Sequence, residues 1–262
     1  MILAVDVGNS NTTVGLFNGT GELLFRALLE TSRSKTRDQC AIELLGVFQL
    51  YGADACTVDG AILSSVVPPL TTIFTDAIAR LTGIPPMVVG PGIRTGLNIK
   101  AEIHNQLGSD IVASSVAAIA KYPSPIVMVD MGTATSLSLI VGSVYEGCII
   151  MPGLALALDA LSERAAALPP ISIETASPVG LMGHTTEEAM RSGVLYGHAS
   201  MVDGMLERIE ESIGQSVTTV ATGGNAPRIL RYCKRPIQYD ADLIMTGFYL
   251  LYQKNAKKYR KA

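Results

Sequence analysis

The chain has 262 residues, 48% of them hydrophobic and 16% charged, with 20 Lys and Arg against 23 Asp and Glu and a formal net charge of −3. That is the balance of an ordinary globular interior under a quiet surface, long enough for two modest domains, and it argues against nucleic acid as a partner. No uncharged apolar run reaches the ~18 residues of a membrane helix, and the first strand begins at residue 2 with no room for a leader, so a cytoplasmic protein without a membrane partner is expected.

The opening segment Ile2-Leu3-Ala4-Val5-Asp6-Val7-Gly8-Asn9-Ser10 is an apolar, β-branched run that delivers Asp6 to its C-terminal end, with a Gly turn behind it. A second apolar stretch, Thr13 to Phe17, follows, and the pair is predicted as a β-hairpin. Polar residues Thr31 to Arg37 lead to Asp38, a candidate N-cap for a helix through Ala41 to Phe48. A strand is expected over Gly60 to Val67, stopped by Pro68-Pro69, then a helix over Thr71 to Thr82 and a strand around Met87 to Val89. After the Gly-Pro-Gly turn at 90–92, the stretch from Arg94 to Asp110 reads as a loop carrying Asn98, Lys100, Glu102, His104 and Asn105. It leads into a helix over Ile111 to Lys121, and an Asp at its start can cap orphan N–H groups, which is worth ~1 kcal/mol.

The opening pattern then returns 124 residues later as Ile126-Val127-Met128-Val129-Asp130-Met131-Gly132-Thr133-Ala134-Thr135, followed by Ser136 to Ile140. In both copies an Asp at a strand end precedes a Gly and small hydroxyl or amide residues. Gly allows a tight turn and close approach, Thr, Ser and Asn add donors to exposed N–H groups, and the carboxylate can hold a metal ion near phosphates. Two copies imply two related halves serving one nucleotide, with a boundary near residue 120. The domains are read as 1–120 and 121–262, the last ~20 residues forming a helix that packs back on the first.

Further along, Val144 to Ile150 continues the sheet, Met151-Pro152-Gly153 turns the chain, and Leu154 to Ala167 has the spacing of a buried helix ended by Pro169-Pro170. Gly183 to Glu188 reads as a loop with a Thr-capped helix start, and the helix runs to Ile213 with a break expected near Gly197. A strand from Ser216 to Ala221 ends in Thr222-Gly223-Gly224-Asn225, a turn against which a flat ring could lie. Cys40, Cys56, Cys148 and Cys233 are scattered without a C-x-x-C pair, and His104, His184 and His198 add no zinc spacing, so buried thiols are expected rather than disulfides or zinc. Lys254, Lys257, Lys258, Arg260 and Lys261 suit the C-terminal end of a helix.

Seven segments carry a family resemblance: Val5 to Thr12, Ser64 to Pro68, Gly90 to Leu97, Gly108-Ser109-Asp110, Asp130 to Thr135, Met151-Pro152-Gly153 and Ala221 to Gly224. Together they resemble the type III pantothenate kinases, within the ATP-binding superfamily of actin, hexokinase and acetate kinase. The resemblance implies an α/β fold of two RNase H-like, actin-like ATPase domains with ATP between them. The implied activity is transfer of the ATP γ-phosphoryl group to pantothenate, the first committed step to coenzyme A. It implies that Asp6, Val7, Gly8, Asn9, Ser10, Asn11, Thr12 and Thr13 wrap the ATP phosphates and Mg²⁺. Thr133 would contact ATP, and Asp130 would hold a monovalent cation, potassium or ammonium. Asp110 is implied as the catalytic base, with Gly108, Ser109, Ile111 and Thr186 lining the pantothenate site in a homodimer that joins through helices between Leu154 and Ile213.

Two positions depart from the family pattern: Ile111 stands where the family has an Arg that helps bind pantothenate, and Ala101 where it has a Tyr. Arg94, Lys100 and Arg164 are the candidate replacement cations. The competing readings are a non-catalytic nucleotide-binding regulator, a kinase for a related acceptor, and an acetate or sugar kinase, the last disfavoured by the short chain.

Overall fold

The computed structural model describes residues 1–100, 107–174 and 179–259. Ala101, Glu102, His104 and Asn105 lie outside them, as do Arg260, Lys261 and the side chains of Lys257 and Lys258. In chain order the elements are β1 (Ile2–Val7), β2 (Asn11–Phe17), β3 (Leu23–Glu30), α1 (Arg37–Leu50), β4 (Gly60–Ser65), α2 (Pro68–Thr82), β5 (Met87–Val88), β6 (Asn98–Ile99) and α3 (Ser109–Lys121). They continue as β7 (Ile126–Met131), β8 (Ala134–Val141), β9 (Val144–Pro152), α4 (Leu154–Arg164), α5 (Thr186–Ile213), β10 (Thr218–Thr222), α6 (Ala226–Leu230), β11 (Gln238–Tyr239) and α7 (Leu243–Tyr259).

Two compact units result. The first holds the chain to Leu97, α3 to Ala120, and α7; the second holds Asn98–Lys100 and Lys121–Asp242. The second unit therefore stops at Asp242, where the sequence reading carried that domain to 262.

In the first unit the strand order is β3-β2-β1-β4-β5, with β1 antiparallel to β2 and parallel to β4. The alternation of β1 sends Leu3, Val5 and Val7 into a core with Leu44, Phe48, Leu70 and Phe74 of α1 and α2. Ile2 and Ala4 face the opposite way, into a core with Ala113 and Val116 of α3 and Met245, Phe248 and Leu251 of α7. Asp6 follows Ile2 and Ala4 onto that second face. The two helices there meet at backbone distance, since a Cβ on Gly247 would lie 2.0 Å from the carbonyl oxygen of Ala113.

Three local expectations change. Thr36 caps α1 through a capping box with Gln39, so Asp38 lies inside the first turn and pairs instead with Arg37 and Arg80. Pro68 and Pro69 open α2, where a missing N–H costs nothing, three residues before the predicted start. The strand β3 had no predicted counterpart, because Leu24 and Leu28 are exposed on its outer face and blur the period-2 pattern.

The second unit carries the order β11-β10-β7-β8-β9-β6. Five of these strands repeat the first sheet: a central strand (β7) antiparallel to the next in sequence and parallel to a later one, in the same order from edge to edge. Val127, Val129 and Met131 face a core with Leu154 of α4, Leu195, Ala199 and Val202 of α5, and Ile229 of α6. The helix α5 runs 28 residues without the break expected at Gly197. An exposed Gly costs it ~1 kcal/mol, and the buried side chains on either side of that position hold the helix together. Of the cysteines only Cys40 is fully buried; Cys56 and Cys148 are exposed, against expectation, and all four are free thiols. Among the described residues no helix is long and apolar enough to cross a membrane.

Candidate active site

Each unit presents a carboxylate at the end of its central strand, between hydroxyl-bearing neighbours. In the first, Asp6 pairs in register with Thr13 on β2 and with Ser64 on β4. The turn that follows is closed by Gly8 N–H donating to the Asn11 carbonyl at 3.0 Å, and a Cβ on Gly8 would lie 2.9 Å from that oxygen. Asn9, Ser10 and Asn11 are exposed at the tip. Val7 and Thr12 point the other way: Val7 is fully buried in the core, and the Thr12 hydroxyl is buried against Thr31 at 2.8 Å. Only the backbone of these two faces the turn.

Ser64 links this strand end to the start of α3, its hydroxyl 2.8 Å from that of Ser109. Asp110 is the next residue, in the first turn of the helix. One carboxylate oxygen, Oδ1, is buried without a hydrogen-bond partner among the described residues. It lies over Gly108, where an added Cβ would come within 2.2 Å of it. A buried carboxylate oxygen left unmatched is costly, and such exceptions concentrate where a ligand group completes the set. Ile111 follows, half-buried.

In the second unit Asp130 pairs in register with Ser136 on β8 and Thr222 on β10. Its turn is closed by Gly132 N–H donating to the Ala134 carbonyl at 3.0 Å, and Thr133 is exposed at the tip. Two further turns hold this tip. Gly223, at φ +93°, lies so close that a Cβ would meet the Met131 backbone at 2.6 Å and Asp130 Oδ1 at 2.7 Å. Asn225 then donates from its backbone to the Met131 carbonyl at 3.0 Å and from its side chain to the Gly132 carbonyl at 3.2 Å. Gly153 presses on the other side, with room for no Cβ against the Thr133 carbonyl.

The family model described as type III pantothenate kinase matches residues 2–208. An Exiguobacterium type III pantothenate kinase is 38% identical over 258 residues, which are 98% of this chain and 100% of that one. The chain belongs to the type III pantothenate kinase family. Solved structures agree on the architecture. A Campylobacter jejuni protein named for the Baf family of transcriptional activators superposes with a TM-score of 0.61 at 19% identity, over 97% of this chain and 99% of that one. A ROK hexokinase from Thermus thermophilus does so at 0.53 and 14% identity, over 98% and 99%. At such identities the likeness carries the fold alone, the expected α/β fold of hexokinase-type, actin-like ATPases.

Against the type III pantothenate kinase pattern, Thr186 is exposed at the first position of α5, behind the cap formed by Thr185 and Glu188. Of the three candidate cations, Lys100 is engaged with Glu146. The Arg94 backbone is clamped by Asn255, which accepts from its N–H and donates to its carbonyl, both at 3.0 Å. Neither Arg94 nor Arg164 has an ion-pair partner among the described residues. Sequence reasoning gave no role to Asn225 or to the Ser64–Ser109 bond, although both residue types stood inside quoted motifs; their partners lie 93 and 45 residues away, beyond any local pattern.

Proposed function

We infer that this protein is an ATP:pantothenate phosphotransferase, transferring the γ-phosphoryl group of ATP to pantothenate to give 4′-phosphopantothenate at the start of coenzyme A biosynthesis. Family membership supports the reaction. The observation that carries the assignment of a base is Asp110, with a buried carboxylate oxygen unmatched at a helix start tied to the Asp6 strand through Ser64 and Ser109.

Phosphoryl transfer leaves a protein mainly positioning and charge neutralisation to do. In this reading Asp110 aligns the pantothenate hydroxyl and accepts its proton late, as a weak base must. Gly108, Ser109 and Ile111 border the acceptor, and Thr186 is assigned to it by the family pattern, in a dimer whose site is shared between subunits. The turn from Gly8 to Asn11 offers backbone N–H and side-chain donors to the phosphates, Thr13 adds a hydroxyl beside Asp6, and Thr133 meets ATP from the second hairpin. A divalent ion would be held here through the nucleotide's own phosphates, with Asp6, beside Thr13 and Ser64, as the protein carboxylate near it. When bound, Mg²⁺ neutralises charge on the transferred group. Asp130, flanked by Ser136 and Thr222, fits a monovalent cation such as potassium or ammonium by its oxygen-rich surround. A homodimer is supported by the large apolar side chains left exposed near the expected helices, Leu156, Leu161, Leu181 and Met182 among them. A cytoplasmic setting suits an enzyme of soluble substrates.

The test is ATP-dependent phosphorylation of pantothenate by the purified protein with Mg²⁺, in sodium, potassium and ammonium salts. Turnover stimulated by potassium or ammonium is expected. Asp110→Asn should keep ATP binding and lose at least ~100-fold in turnover. ATP binding without turnover on pantothenate would instead favour a different acceptor or a regulatory protein, and an active Asn variant would remove Asp110 from the role of base.

A further inference from the structure

The strands β2 and β8 hold equivalent places in their sheets, and each buries one threonine hydroxyl directly behind its hairpin tip. Thr12 pairs in register with Val7 and is 1% exposed; Thr135 pairs with Met131 and is 0% exposed. Each hydroxyl has a partner, as a buried hydroxyl must. The partners differ in kind. Thr12 Oγ1 meets Thr31 Oγ1 at 2.8 Å, just past the end of the neighbouring strand β3. Thr135 Oγ1 meets His198 Nε2 at 2.9 Å, and that histidine stands in the middle of α5.

His198 is an odd residue for its place. It is 2% exposed, its helix neighbours Val194, Leu195, Ala199 and Val202 are all buried, and burial pushes its imidazole toward the neutral form. Replacing both members of such a pair with apolar groups of the same shape would be nearly neutral for stability. Net stability is therefore a small part of what such a pair contributes. What it does follows from what Thr135 adjoins: the tip residues Gly132, Thr133 and Ala134, already gripped on two sides by Gly153 and by Gly223 with Asn225. The His198 bond supplies the third grip, from α5.

We propose that His198 is a positioning residue for the second hairpin, fixing through Thr135 the strand end from which Thr133 meets ATP. This rests on the reading that Thr133 contacts the nucleotide. In the first hairpin the same position is served by Thr31, just past the neighbouring strand; in the second it is delegated to a helix, so the tip is anchored to α5.

The experiment compares full-length Thr133→Ala, Thr135→Val, Thr135→Ser, His198→Leu and His198→Gln for Mg·ATP affinity by calorimetry, KM for ATP and for pantothenate, and thermal unfolding. Expected is ATP binding weakened about tenfold in Thr135→Val and His198→Leu with KM for pantothenate unchanged, and recovery to within about threefold in Thr135→Ser and His198→Gln, which keep the hydrogen bond. Lowered melting temperatures with wild-type ATP affinity in Thr135→Val would overturn the proposal by making the pair a core feature only. Thr135→Val is isosteric, so it decides the matter even where His198→Leu fails to fold. If Thr133→Ala binds ATP normally, the assignment of this tip to ATP falls and the proposal with it; if Thr133→Ala is weakened and Thr135→Val is not, the proposal alone falls.

Discussion

The hydroxyls of Ser64 and Ser109 share a hydrogen bond of 2.8 Å, joining the end of β4 to the first residue of α3. Asp6 and Asp110 each stand one step away from this bond: Asp6 is the register partner of Ser64, and Asp110 follows Ser109 in sequence. The pair is therefore the brace that sets where the helix begins relative to the strand. Ser64→Ala should cost about 1 to 2 kcal/mol of stability, the ordinary penalty for stranding a buried hydroxyl partner. It should also lower kcat about tenfold while leaving ATP affinity intact, because it loosens the acceptor side. Steady-state kinetics beside urea unfolding would check this, and an unchanged kcat would leave the brace with a purely structural role.

Gly223 and Gly224 are neighbours in sequence with opposite tolerance for a side chain. At Gly223 a Cβ would strike the Met131 backbone and the Asp130 carboxylate, and its φ of +93° is strained for any other residue; at Gly224 nothing lies within 4 Å. Gly223→Ala should lose about 2 to 3 kcal/mol and blunt any response to potassium or ammonium by shifting Asp130. Gly224→Ala should stay within about 0.5 kcal/mol of the parent. Paired denaturant titrations and cation titrations of the two variants make the comparison direct, and equal behaviour would remove the crowding at Gly223 as an explanation.

The Glu210 carboxylate accepts from the Arg235 side chain and from Val217 N–H, and these bonds hold it below its usual value of 4.5. A carboxylate with a lowered folded-state pKa binds fewer protons folded than unfolded, so its contribution is present above pH 4.5 and is lost as the pH falls below it. Glu210→Gln should accordingly be less stable than the parent at neutral pH, with the gap closing toward pH 3. Melting temperatures across that range test it, and a gap independent of pH would mean that packing, not charge, accounts for the difference.

The two hairpins were legible because each combines a run of β-branched residues with an Asp-x-Gly stop, and because the second copy repeats the first at matching positions. Each turn is closed by a backbone bond within its own hairpin, a local feature that a sequence pattern can carry. Asp110 at a helix start was legible for the same reason. What stayed hidden depends on distant partners or on weak alternation. The apolar outer face of β3 erased its period. The segments β11 and α6 are too short, at 2 and 5 residues, to set up a pattern. His198 reads in sequence as one more residue in a helix, and only the fold brings it to Thr135, 63 residues upstream. Similarly, Thr12 sits within a motif whose hydroxyl and amide side chains are read as donors, whereas strand alternation buries its hydroxyl against Thr31.

The placement of α7 bears on how the molecule is made. Met245, Phe248, Leu251 and Tyr252 cover the face of the first sheet that carries Ile2 and Ala4, together with Ala113 and Val116 of α3. That face begins to emerge from the ribosome with β1, yet its covering helix α7 comes after the whole second unit. At elongation rates of about 5 to 20 residues per second, the apolar side of β1 waits roughly ten seconds or more for its lid. The second unit, Asn98–Lys100 with Lys121–Asp242, is nearly contiguous and has no such delay. The first unit is thus begun before the second and finished after it, its sheet face beside Asp6 closed only by the last helix.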